Sequence, residues 1–311
     1  MKRIRWSFLL LAALPVFVSA ERLFITSQTD ARISVVDSEN LLLESDYAVD
    51  SGPVAVVADR QRNHLFISHP ELGLVTIRKL DSGEKVIDIS TGGQPFAMVL
   101  DDKRPQLFVT DWDRDAVLVI NAESLQLVDI LAVGKSPAGI ALNSEGRRLY
   151  IANREDNTLT VLDVDRARLI ATLPVGRGPY AVNYNTALSQ IYVSTVQDHS
   201  LTVIDDDQLD AIQQFEVGRS PYDVGISQDG SRLYVVSQND NLLLEIDAAN
   251  FEVLQTFKTG EMPESVWLDV VNQRAFVSNW FSDSLTIFDL KTGASLANIS
   301  LARGPRMMSV Q

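Results

Sequence analysis

Short apolar runs rich in Val, Ile, Leu and aromatic residues recur along the chain, separated by polar turns. Between residues 179 and 217 the order is YAVNYN, the turn NTALSQ, IYVST, the polar loop VQDHS, LTVID, a second turn, and QQFEV running into Gly218. β-Branched and aromatic runs punctuated by Gly, Pro, Asn and Asp are strand and turn signals, and no stretch carries a helical period. Each unit is therefore predicted to hold four short strands. Strands such as LYIA and LTVLD are apolar on both faces, so the sheets they form must be covered on both.

The pattern has a fixed period. Pro53, Pro95, Pro137, Pro179, Pro221, Pro263 and Pro305 stand 42 residues apart, as do the pairs that begin at Leu23, Leu65, Leu107, Leu149, Ile191, Leu233 and Ala275. A third ruler runs through Ile33, Val75, Val117, Leu159, Leu201, Leu243 and Leu285. Such a period means a solenoid, propeller or array, in which each unit buries its faces against its neighbours. Six whole units span 53–94, 95–136, 137–178, 179–220, 221–262 and 263–304, leaving 21–52 and 305–311. PRMMSVQ reads as the first strand of a unit and ERLFITS through VDSG as the other three. The expected fold is thus all-β: a seven-bladed β-propeller of four-stranded blades, with strand 307–310 completing the blade begun by 23–26 so that no edge stays open. A linear solenoid would need polar capping units, whereas both terminal strands are as apolar as the internal ones.

The first twenty residues stand apart from the repeat. Lys2, Arg3 and Arg5 precede the apolar stretch FLLLAALPVFV, and Val18-Ser19-Ala20 reads as a small-residue cleavage site. This is the pattern of a cleaved secretory signal, and no later apolar run approaches the ~20 residues of a membrane span. The expected location is the periplasm or the exterior, as a monomer. Without the three basic residues of that segment, 24 basic face 41 acidic residues, a net charge of −17. That argues against a broad polyanion-binding surface, so nucleic acid is not favoured as a partner. The chain has no Cys, which removes disulfides, thiol nucleophiles and covalent haem from consideration.

At L-[FY]-[IV]-[TSA]-[NDS], at NTLTVLD (157–163) and at VGKSP (133–137), the repeat resembles the YVTN family of β-propellers; LYIANREDNTLTVLDV (149–164) followed by PVGRGP (174–179) is the nearest copy of that family's signature. The resemblance covers all seven copies. It implies a propeller of the periplasmic or surface-layer type, in a family that includes binding proteins, some linked to nucleic acid, and propeller subunits of amine dehydrogenases. Blade one departs with Asp50 in place of the usual Gly, and blade two with Arg78-Lys79.

In a ring of like blades, positions that repeat are scaffold and positions that differ are candidates for function. The recurrent Asp37, Asp163, Asp205, Asp247 and Asp289 read as turn-capping carboxylates, and Gly92, Gly134, Gly176, Gly218 and Gly260 as suppliers of turn conformations. Two residues before successive prolines stand Lys135, Arg177 and Arg219; directly after them come Tyr180, Tyr222, Glu264 and Arg306. Guanidinium groups beside aromatic faces suit an anionic or ring-bearing ligand, so this arc at the channel mouth is the expected binding site. Solvated turn residues, with Glu261 and Glu264 as incidental ion partners, are the alternative reading. Trp112 and Trp280 occupy equivalent loop positions and join the candidate site; Trp267 is expected to pack between blades.

No metal site is expected, because His69 and His199 lie in loops three blades apart, and no cofactor is expected. Asp223, Glu264 and Arg306 are the chief ionisable groups of the inner strands, with Asp59, Asp101 and Asp269 at strand ends, and they form no convergent catalytic set. There is no phosphate-binding loop, nucleophile elbow or haem-attachment motif. The expected function is a non-enzymatic, exported scaffold that offers one face and its channel mouth to a partner protein or a small anionic ligand. The alternatives are a propeller subunit or accessory protein of a periplasmic quinone- or haem-dependent oxidoreductase, and a lactonase-like hydrolase.

Overall fold

The computed structural model describes residues 21–311 apart from 102, 144 and 146; the predicted signal segment lies outside the described residues. Seven four-stranded antiparallel sheets follow one another along the chain. In blade one, strand Pro305–Val310 is innermost and pairs with Arg22–Ser27, followed by Arg32–Asp37 and Leu42–Ala48. Leu23 faces Val310, Phe24 faces Ser309 and Ile25 faces Met308. The tail therefore closes the ring as the repeat predicts, and the propeller has seven blades. Blades two to seven run in order through the remaining sheets, their first strands beginning at Val56, Pro95, Pro137, Pro179, Pro221 and Pro263. Helix is confined, among the described residues, to two single 3-10 turns, Pro70–Leu72 and Gln238–Asp240.

The core lies between blades. Phe24, Phe66, Phe108, Tyr150, Tyr192 and Phe276, in equivalent places on second strands, are nearly or completely buried, which explains why these strands read apolar on both faces. Burying each such ring contributes about 1.5–3 kcal/mol. Polar bolts add to this packing. Arg148 of blade four reaches Asp206 of blade five, where the Tyr150 hydroxyl also donates; Arg104 of blade three pairs with Asp165 of blade four. Trp267 packs in the cluster between blades seven and one.

The turns confirm part of the scaffold reading and correct part of it. Asp37 Oδ1 accepts from the backbone N–H of Glu39 and Asn40, each at 2.8 Å, and Asp205 and Asp289 do the same two and three residues on. Of the repeated glycines, Gly92 and Gly218 have positive φ, but Gly134 does not; there a Cβ would come within 2.6 Å of the Asn153 side chain, so close approach explains the glycine. The left-handed residue is more often the one just before the proline, including Ser136, Ser220 and Met262. A side chain 21 residues earlier holds it: Asp115 accepts from Ser136 N, Asn157 from Gly178 N and His199 Nδ1 from Ser220 N at 3.1 Å. His199 is thus a fastener of the crossing turn. His69, expected in a loop, ends the strand His64–His69, is fully buried and bonds Ser51 O through Nδ1 at 3.0 Å.

Candidate functional site

The inner strands surround the channel, and the residue after each proline stands at the head of its strand or, for Val54, just before it: Val54, Phe96, Ala138, Tyr180, Tyr222, Glu264 and Arg306. Tyr180 and Tyr222 lie with ring centroids 4.3 Å apart, and Phe96 meets Tyr180 edge-on at 6.1 Å. Arg306, from blade one, reaches across to blade five and donates through Nη2 to the Tyr180 hydroxyl at 3.1 Å; the same nitrogen is 3.4 Å from Glu264. Ala138, fully buried beneath Phe96 and the two tyrosines, supplies the space these rings need. The result is a plug across the channel.

A second ring caps the first. It is formed by the residues after the second strands, again 42 apart: Gln28, Pro70, Trp112, Arg154, Val196, Gln238 and Trp280. Gln28 accepts from Arg306 Nη1 at 3.1 Å and Gln238 donates to Glu264 at 2.8 Å. The Arg154 guanidinium lies over both Trp112 and Tyr180, 5.7 Å from each centroid, and Arg306 lies over Phe96 at 5.7 Å and Trp280 at 5.2 Å. Two arginines are thus each set over two aromatic rings at the mouth, in the cation–π geometry. Above the plug is a cavity of about 310 Å³ bordered by Phe96, Trp112, Arg154, Tyr180, Tyr222 and Arg306. Below it a second cavity of about 240 Å³ runs down the channel past Asp223 and Met307.

Burial sets the electrostatics. The side chains of Arg306 and Glu264 are 13% and 10% exposed. Burial pushes the Glu264 carboxyl above its ordinary value, against the pull of Arg306. Burial opposes the Arg306 charge as well, but Tyr180 and Glu264 outweigh it and hold the guanidinium firmly protonated. The Tyr180 hydroxyl is pushed up by burial. Arg306 and Glu264 therefore balance one another within the plug. Arg154 is different: its nearest carboxylate is Glu155 at 3.9 Å, which leaves its charge only loosely compensated at the cavity wall. Deeper in the channel, burial also pushes up Asp223, although its oxygens accept from Val224 N at 2.8 Å, Val266 N at 3.0 Å and Ser265 Oγ at 2.8 Å.

Of the expected site residues, the structure brings together Tyr180, Tyr222, Glu264, Arg306, Trp112 and Trp280. Lys135, Arg177 and Arg219 lie elsewhere, on the outer rim of the same face. Arg177 Nε binds Asp198 Oδ1 at 2.6 Å and Arg219 Nε binds Asp240 Oδ1 at 2.6 Å, with arginine side chains 68% and 66% exposed. Arg303 forms the same pair with Asp30. In each case the aspartate follows 21 residues later in the repeat, so these arginines occupy a recurring clamp between a crossing turn and the next loop; the Lys135 backbone N–H meets Asp156 in that way. Arg154 and Gln238 escape a search confined to residues around the prolines. Following the Trp112 position from blade to blade finds both.

The likeness to solved structures is now informative. The chain superposes on hydrazine synthase of Kuenenia stuttgartiensis with a TM-score of 0.79 at 15% identity, over 86% of this chain and 92% of that one. It superposes on the periplasmic gluconolactonase PpgL of Pseudomonas aeruginosa with a TM-score of 0.80 at 16% identity, over 94% and 99%. The dihydro-haem d1 dehydrogenase NirN, in complex with DHE, gives 0.73 at 12% identity, over 96% and 77%. These neighbours share the fold. At such identities the likeness extends no further than the fold. No protein-family model matches the chain, nor does any curated protein at the level of sequence. No helix among the described residues is long and apolar enough to cross a membrane.

Proposed function

We propose that the protein is an exported, non-enzymatic binding propeller that receives a small, ring-bearing anion at its channel mouth and offers the surrounding face to a periplasmic partner. One observation carries this reading: Arg154, loosely paired, stands between the Trp112 and Tyr180 rings on the wall of an open cavity. A flat ligand would lie against Trp112 and Phe96, its anionic group taken by the Arg154 fork through charge-assisted hydrogen bonds. Tyr180, Tyr222 and Arg306 would form the floor, with Glu264 bracing Arg306 from beneath and Trp280 stacked on its outer side, and Lys135, Arg177 and Arg219 the rim towards the partner. The resemblance to YVTN propellers and the signal-like residues 1–20 support export.

The test is fluorescence titration of the purified protein with aromatic carboxylates and phosphates. Trp112 should report saturable binding, and Arg154→Ala should weaken it about tenfold or more, the loss expected for a charge-assisted contact. Equal affinity in wild type and Arg154→Ala would refute the assignment. A second reading, a propeller subunit or accessory of a haem-dependent oxidoreductase, draws on the likeness to hydrazine synthase and NirN; co-purification of a haem absorbance with the native protein would favour it. A lactonase reading draws on PpgL, and would have to employ Asp223, whose oxygens are already engaged by backbone and Ser265. Lactone turnover that is lost in Asp223→Asn would revive it.

A further inference from the structure

The third strands of the blades carry one column of inward residues: Val35, Ile77, Val119, Val161, Val203, Glu245 and Ile287. Each of the six aliphatic members belongs to the apolar cluster between its blade and the next. Glu245 breaks the column. Its cross-strand neighbour Tyr234 still packs against Val266, Ala275 and Phe288 of blade seven, but the glutamate opens a cleft of about 500 Å³ between blades six and seven. The cleft emerges between the turns at 227–231 and 270–273, on the face opposite the channel mouth.

The charge in this cleft is unbalanced. Glu245 is 13% exposed and shares its counter-ion: Arg232 Nε lies 3.6 Å away, while Arg232 Nη1 pairs more closely with Asp247 at 2.8 Å. The Tyr234 hydroxyl is the second group that bonds Glu245. At the entrance, Asp229 is held ionised by Ser227 and Ser231. Glu245 and Asp247 thus share one guanidinium, and Asp229 adds a further carboxylate to the cleft lining. The opposite wall, from blade seven, is apolar along Leu268, Val270 and Leu290, with Gln273 its one polar member. A buried carboxylate at a position that packing would fill with Val is costly unless a cation meets it.

We propose that the cleft between blades six and seven is a second binding site, for a small amphiphilic amine whose ammonium group meets Glu245 and whose hydrocarbon body lies along Leu268, Val270 and Leu290. The site is independent of the channel mouth in both position and sign of charge. The test is calorimetric titration of the purified protein with n-hexylamine and phenethylamine, using n-hexanol and hexanoate as matched probes, on wild type, Glu245→Gln, Glu245→Val and the mouth variant Arg154→Ala. Both amines should bind wild type and Arg154→Ala alike, and should bind the two Glu245 variants about 30-fold more weakly or worse, the lower range for losing one partner of a buried charge pair. Hexanol and hexanoate should not bind. The proposal is overturned if Glu245→Gln binds the amines as wild type does, if hexanol competes equally, or if wild type takes up neither amine at millimolar concentration. Loss of amine binding in Arg154→Ala with retention in Glu245→Gln would also overturn it, by placing the amine at the mouth.

Discussion

Arginine serves this propeller in two ways on one face, and only radius separates them. At the rim, Arg177 and Arg219 each grip an aspartate in open solvent. At the axis, Arg306 grips Glu264 and Tyr180 where water scarcely reaches. An exposed pair gains little, since water already solvates both charges and salt screens them. A buried pair is not a strong net stabiliser either, but each partner becomes indispensable to the other once both are desolvated. The difference teaches that the clamps of the rim are replaceable scaffold, whereas the plug is a unit whose members fail together.

The sharpest way to break the comparison is to delete one charge from each region. Arg306→Ala leaves Glu264 buried with Gln238 as its hydrogen-bond donor and should cost about 3–5 kcal/mol, read as a lowered midpoint in urea unfolding. Adding Glu264→Gln to that variant should recover part of the loss. If Arg306→Ala proves as mild as a rim variant, the plug is not the coupled unit described here. Tyr180→Phe is gentler: it removes the acceptor of the bond that spans the channel while Gln28 and Glu264 still hold Arg306, and should cost about 1.5–3 kcal/mol, the range for a hydrogen bond to a charged group. No change in urea midpoint would mean that the bond contributes nothing. At the rim, Arg177→Ala and Arg219→Ala should each cost about 1 kcal/mol or less, and the cost should shrink in high salt.

These two regions were not equally legible in the sequence. The 42-residue ruler sufficed for the blade number and for closure of the ring by strands 23–26 and 307–310, because both follow from periodicity alone. The rim clamps carry a periodic signal too, an aspartate 21 residues after each arginine, but it becomes visible only when spacings within the unit are compared as well as spacings between units. Treating Arg177 and Arg219 as departures from the repeat hides that they share a partner pattern with Arg303. The bond between Tyr180 and Arg306 is of another kind. It joins blades that are not neighbours, so it depends on the bore of the channel, which is a consequence of packing the whole ring. Glu245 could have been read from its column of Val and Ile, but not the cleft that it opens.

Acid titration sharpens the contrast with the smallest expected effect, because the two regions respond with opposite sign. Burial pushes Asp223 above its ordinary 3.8, against four opposing hydrogen bonds. Protonating it therefore favours the folded chain: the stabilisation is fully present below 3.8 and is lost as pH rises through the folded-state value. The Arg177 backbone N–H, and then its guanidinium, hold Asp198 below 3.8, so its contribution is present above 3.8 and is lost as pH falls through its folded-state value. Other surface carboxylates titrate in the same region, so the quantity to measure is the difference in Tm between wild type and a single variant across pH. Between wild type and Asp223→Asn that difference should move in favour of wild type as pH falls from neutral towards 3.8, because acid neutralises in the wild type the charge that the variant lacks. Between wild type and Asp198→Asn it should hold steady over the same interval and move against wild type only below it. Parallel curves for the two variants would mean that depth in the ring does not govern these carboxylates, and the distinction between channel axis and rim would lose its electrostatic basis.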